Sequence, residues 1–192
     1  MESEPFLLIG NDKFTALPKP KIMYSSESFD VIYSDEKNPE DIQYPPNVEK
    51  VNFRHYSTFG GLDKVITFPD TILELKLHIN YGLENIILPK SLIRLSFGQY
   101  FNADIRNVKF PETLKYLSFG AEFNQDIRNA NFPSLTHLAL GFYFNQDITN
   151  ANFPQSLTQL TLRPRYSKDL KNADFPKSLI FLEKGGTIFS KL

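Results

Sequence analysis

The chain has 192 residues, 41% hydrophobic and 22% charged, with a formal net charge of −1, so it is long and apolar enough to bury a sizeable single core. Near-neutrality argues against a general electrostatic grip on nucleic-acid backbones or anionic lipid, and the lack of cysteine excludes disulfides and thiolate metal sites. No apolar run approaches the roughly 18 residues of a membrane helix, so no nucleic-acid or membrane partner is expected and a cytoplasmic setting is.

Residues 1–44 hold three short β-prone runs, FLLIG, KIMYS and FDVIY, separated by Pro, Asn, Asp and Ser. The start, MESEPFLLIGND, has no basic leader and only a brief apolar run, so no signal peptide is expected. The stretch from Phe29 to Phe53 reads as a degenerate copy of the unit that recurs C-terminal to it, with Ile42 in the place of Ile105 and Pro46 in the place of Pro111. Residues 1–44 are therefore expected to form a β-rich cap or a degenerate coil.

From residue 45 to 184 the chain repeats. Prolines 46, 69, 89, 111, 133, 154 and 176 stand 23, 20, 22, 22, 21 and 22 residues apart. Each precedes an apolar triplet, spaced i, i+3, i+5 in copies such as Leu92/Leu95/Phe97, Leu114/Leu117/Phe119 and Leu157/Leu160/Leu162. The last two positions of each triplet alternate with polar residues, the period of a strand with one buried face. The apolar positions after the triplet, such as Phe101, Ile105 and Phe110, are spaced too unevenly for helix or strand. A repeat of this length is one supersecondary unit stacked on copies of itself. The expected fold is a β-rich solenoid, a leucine-rich-repeat-like stack of about seven coils. Short parallel strands lie on one face and irregular or 3-10 segments on the other. Phe101, Phe123, Phe144 and Tyr166 should form one column of buried rings, and Phe110, Phe132, Phe153 and Phe175 another. Gly98, Gly120 and Gly141 mark the turn out of the strand. At Lys184 the seventh triplet breaks, and residues 185–192, GGTIFSKL, read as a C-terminal cap.

Two polar ladders accompany the repeat: Asp104, Asp126, Asp147 and Asp169, and Asn107, Asn129, Asn150 and Asn172. Stacked carboxylates could hold a hard cation, but one carboxylate per coil gives too few oxygens at any point. Asx-type bonding to the local backbone is the expected role. Asn102, Asn124 and Asn145 should bond successive coil backbones to one another. His55, His78 and His137 fall at different positions of different coils and would not converge on a metal or act together as acid and base. No phosphate loop, nucleophile elbow or dinucleotide fingerprint appears, so no catalytic, cofactor-binding or metal-binding residue is assigned and no cofactor is expected.

The outward strand positions form two columns: Lys50, Glu74, Arg94, Tyr116, His137, Gln159 and Phe181, and Asn52, Lys76, Ser96, Ser118, Ala139, Thr161 and Glu183. An aromatic and a histidine among small neighbours could anchor a polypeptide, and the candidate partner-binding residues are Arg94, Tyr116, His137, Gln159, Lys76 and Ser118. A solvated face with cross-strand ion pairs is the plainer alternative.

The unit carried by FNADIRNVKFPETLKYLSFG, FNQDIRNANFPSLTHLALG and FNQDITNANFPQSLTQLTL resembles the FNIP repeat, a short variant related to the leucine-rich repeat. The resemblance covers about residues 44–184, most sharply 89–179, and departs from the family's name in having Asp before Ile. It is similar to repeats in proteins of giant DNA viruses and social amoebae. Many viral members carry an N-terminal F-box that recruits ubiquitin-ligase machinery, a pattern residues 1–44 do not show. The resemblance implies a solenoid with a protein-interaction role, in the host cytoplasm if the protein is viral, and supplies no catalytic residue.

These observations converge on a non-enzymatic scaffold that binds a partner protein through its strand face, as a monomer or with weak self-association. The alternatives are a self-assembling structural protein and a glycan-binding parallel β-helix.

Overall fold

The computed structural model describes residues 29–33, 42–56 and 61–190, so FLLIG and KIMYS lie outside the described residues. The strands are β1 (Phe29–Ile32), β2 (Lys50–Arg54), β3 (Ile66–Thr67), β4 (Glu74–His78), β5 (Ile86–Ile87), β6 (Arg94–Phe97), β7 (Tyr116–Ser118), β8 (His137–Ala139), β9 (Gln159–Leu162), β10 (Phe181–Lys184) and β11 (Thr187–Ser190). No helix occurs among the described residues.

Nine strands form one sheet in the order β1-β2-β4-β6-β7-β8-β9-β10-β11. Every pair up to β10 is parallel, and β11 folds back antiparallel on β10. The register follows the triplets: Val51, Leu75, Leu95, Leu117, Leu138, Leu160 and Leu182 are successive partners, all facing inward. FDVIY supplies β1, whose Phe29 and Val31 partner Val51 and Phe53. The stacked-coil solenoid expected from the repeat is the fold observed.

The rest of each coil bends at corners closed by i+3→i backbone bonds, where 3-10 segments were an option. After the proline, the N–H of Leu92, Leu114, Leu157 and Leu179 donates to the carbonyl of Pro89, Pro111, Pro154 and Pro176. A second corner closes from Val108, Ala130, Ala151 and Ala173 back to Ile105, Ile127, Ile148 and Leu170. A third closes from Phe101, Phe123 and Phe144 back to the glycine that ends the strand. Proline, which has no N–H to give, loses nothing at a position where only its carbonyl is used. In the first coil the corner bond runs from Val48 to Pro45, so Pro45, not Pro46, holds the place of Pro111. At Pro133, where the chain is one residue short, the corner is a simple bend. A second, two-stranded parallel sheet, β3 with β5, lines the first coils, a regularity the uneven spacing had not suggested.

The core is one cluster running the length of the stack. Phe101, Phe123, Phe144 and Tyr166 pile up with ring centroids 6.1, 6.1 and 6.0 Å apart and planes within 9° of parallel. Phe97 and Phe119 intercalate at 3.9 and 3.8 Å from Phe101 and Phe123. The second column stands as two stacked pairs, Phe110 with Phe132 and Phe153 with Phe175, each at 6.0 Å. Burying each ring contributes roughly 1.5–3 kcal/mol. The glycines are needed for proximity. A Cβ on Gly120 would strike the carbonyl of Gly98, and one on Gly141 the carbonyl of Gly120, so neighbouring coils approach too closely there for any side chain.

Candidate functional site

Parallel in-register pairing turns equivalent positions into rows across the sheet, so the two outward columns stand as expected. Glu74 bridges Lys50 at 3.7 Å and Arg94 at 3.4 Å. The Arg94 guanidinium lies 3.5 Å from the centre of the Tyr116 ring, and that ring is 4.4 Å from the His137 imidazole. The His137 Nδ1 is 2.8 Å from the Thr136 hydroxyl. In the second column the Ser118 hydroxyl donates to Ser96 at 2.9 Å, and the Asn52 amide to Asp30 at 2.8 Å. Each side chain of the first column from Lys50 to His137 is thus oriented by its neighbour on the adjoining strand.

An open depression of about 320 Å³ lies on this face, lined by outward residues of β6 to β9: Arg94, Ser96, Tyr116, Ser118, His137, Gln159 and Thr161 among them. Five of the six sequence candidates (Arg94, Tyr116, Ser118, His137 and Gln159) meet there, while Lys76 sits beside it on β4, paired in register with Ser96. Partial burial, reinforced by Arg94, holds the His137 imidazole below its usual pKa. His78 is lowered likewise, first by burial and then by Arg54 and Lys76, with Asp30 pulling the other way. His55 belongs to the core instead: it is 5% exposed, and its Nδ1 lies 2.7 Å from the Tyr81 hydroxyl. The three histidines do not converge.

The polar ladders serve the backbone. Asp104, Asp126, Asp147 and Asp169 each accept the N–H two residues on, at 2.8–2.9 Å. Asp104 and Asp126 also pair with Arg106 and Arg128 at 2.6 and 2.7 Å. Asn150 adopts a φ of 63°, the left-handed region asparagine tolerates. The side-chain carbonyls of Asn102, Asn124 and Asn145 accept the N–H of Asn124, Asn145 and Ser167, stitching each coil to the next. No group of acidic or histidine side chains that could hold a metal ion occurs among the described residues, nor does any helix long and apolar enough to cross a membrane.

Two features escaped the sequence reading. In four coils the hydroxyl of the residue before the first-triplet leucine donates one coil back: Ser91 to Ile72, Thr113 to Leu92, Ser156 to Leu135 and Ser178 to Leu157, at 2.7–2.9 Å. Its signal was the recurrent Ser-Leu or Thr-Leu. The turns after the strands also expose Tyr56, Tyr100, Phe142 and Tyr143, with Arg165 5.0 Å from the Tyr143 ring centre.

Comparison with known proteins bears on the same residues. The FNIP Repeat family model matches residues 101–143 and 144–185. Among solved structures, CroV588 from a giant virus, described as a novel circular LRR protein, is similar with a TM-score of 0.58 and 29% identity. The match covers 72% of this chain and 24% of that one, so this chain spans about a quarter of the neighbour's length. No curated protein matches.

Proposed function

For a chain whose residues 101–185 match the FNIP Repeat family on a leucine-rich-repeat-like solenoid, we propose a non-enzymatic interaction scaffold whose partner protein docks on the strand face around Arg94, Tyr116, His137, Gln159, Lys76 and Ser118. Repeat solenoids of this kind commonly present protein-binding surfaces. The observation that carries the reading is the chain of contacts from Lys50 through Glu74, Arg94 and Tyr116 to His137. Side chains already held by neighbours lose little freedom on binding, and an aromatic flanked by a cation suits an anchor point. In this reading residues 1–44 and 185–192 flank the repeats as caps, and the protein works in the cytoplasm.

Affinity capture from the native cell tests it, comparing wild type with a Tyr116→Ala/His137→Ala variant. The variant should lose the partner while keeping the wild-type melting curve. Equal recovery by both removes the face from consideration.

A second reading, self-assembly, draws on the β10–β11 hairpin, where Phe181 and Phe189 are 43% and 53% exposed. Light scattering showing a monomer at high concentration counts against it. The glycan-binding β-helix alternative is disfavoured, because the Asp column is engaged in backbone turns.

A further inference from the structure

Charge on the strand face does not mirror charge on the chain. Among outward positions of β1 to β10 in the large sheet, the cations are Lys50, Arg54, Lys76 and Arg94 and the anions Asp30, Glu74 and Glu183, so four minus three leaves +1. The whole chain carries −1. Within the depression the imbalance is sharper. Arg94, whose Nε lies 3.4 Å from Glu74 outside the lining, is the one formally charged residue among the described residues lining the depression, and the Tyr116, Ser96 and Thr161 hydroxyls and the Gln159 amide beside it can donate hydrogen bonds. No carboxylate is among those lining residues. Guanidinium groups bind carboxylates through paired, charge-assisted N–H donors.

From this distribution we propose that the partner presents an acidic, extended polypeptide segment to the strand face, with its carboxylates seated on the open side of the row formed by Arg94, Tyr116 and His137. This rests on the strand-face reading above and names the chemistry of its partner. Two imidazoles make the recognition pH-dependent. His137 is faced by Tyr116 on β7, Gln159 on β9 and Arg94 on β6, with Thr136 beside it on its own chain segment. His78 is faced by Arg54 on β2 and Asp30 on β1, with Lys76 on its own strand. Burial and the nearby cations favour the uncharged form of both, and each gains a positive charge on acidification below the usual imidazole range, which strengthens attraction for a carboxylate that is still ionised there.

The test is fluorescence anisotropy with the full chain and three labelled probes: deca-aspartate, deca-lysine and a neutral Gly-Ser decapeptide. Deca-aspartate should bind in preference to the others. Its affinity should fall on the order of fivefold or more in Arg94→Gln and stay unchanged in Arg128→Gln, which removes a cation away from the face. Affinity should rise as the pH falls from about 7.5 to about 5, where aspartates are still mostly ionised, and the rise should vanish in His78→Gln/His137→Gln. The proposal is overturned by equal binding of deca-lysine, by no binding of deca-aspartate, by equal losses in the two arginine variants, or by a flat pH response. A partner that is basic yet depends on Tyr116 and His137 overturns this inference and leaves the strand-face reading standing. Capture indifferent to the Tyr116→Ala/His137→Ala change removes both.

Discussion

The coils before Pro89 and those after it solve the same packing problem differently. In the later coils one ring per turn falls at the same place, so Phe101, Phe123, Phe144 and Tyr166 stack nearly parallel. In the earlier coils Tyr33 and Phe53 stack at 28°, but most other aromatic pairs meet at steep angles. Phe53 and Phe68 are 87° apart, His55 and Tyr81 70°, and Tyr33 and His55 65°. The register of the strands is equally regular in both halves. Strand pairing and the Leu triplets therefore set the coil geometry, while the wall opposite can be filled by a repeated ring or by an individually fitted cluster. The family match begins at residue 101, where the repeated ring begins.

Removing a ring from the column should cost most. Phe123 is fully buried and touches Phe101, Phe119 and Phe144. Phe123→Ala should destabilise by about 3–5 kcal/mol in urea denaturation, and hydrogen exchange should show protection lost in the coils on both sides.

The glycines separate the two halves next. Gly120→Ala in the later half forces a Cβ into the Gly98 carbonyl, a rigid backbone neighbour. It should cost about 3 kcal/mol, at the upper end of overpacking effects. Gly82→Ala in the earlier half meets only the carboxylate end of Glu84, which can swing away. That variant should change stability by less than about 0.5 kcal/mol. Urea midpoints of the two variants check both expectations.

Tyr81→Phe probes the earlier half directly. It deletes the 2.7 Å contact to the buried His55 Nδ1. A loss of about 1–3 kcal/mol is expected from leaving that nitrogen without its hydroxyl partner, read from the shift in urea midpoint. Tyr166→Phe keeps the ring stacked on Phe144 and should be close to neutral.

The smallest effect concerns pH. Hydrogen bonds from the Arg128 side chain and N–H lower the Asp126 pKa from 3.8 to about 2. A depressed carboxylate contributes stability that is fully present above its unfolded value of 3.8 and is lost as pH falls toward 2. Asp126 is about a third exposed (32%), so solvent screening limits the contribution to a few tenths of a kcal/mol. Comparing acid unfolding of wild type and Asp126→Asn should show a small difference that closes within this window.

The strand register and the Phe column could be read from residue order, because both depend on a period that survives one-residue slips at corners. The candidate face was equally accessible: alternation in a strand fixes which side chains share a surface, and parallel pairing aligns them. Other features depend on contacts some twenty residues away that spacing does not encode. Nothing in the order of residues shows that Gly120 sits against the Gly98 carbonyl, or that Pro45 and not Pro46 closes its corner. The burial of His55 against Tyr81 belongs with these, as does the β3–β5 pairing, since the earlier coils have no repeated ring to announce their packing.

The whole solenoid depends on its coils sharing one interior through the stacked rings. A double-mutant cycle on Phe123→Leu and Phe144→Leu in urea denaturation is the decisive check. Rings 6.1 Å apart and within 6° of parallel should couple by about 0.5–1.5 kcal/mol. Losses that simply add, within about 0.3 kcal/mol, would mean that the two coils do not sense each other, and the stacked interior would have to be abandoned.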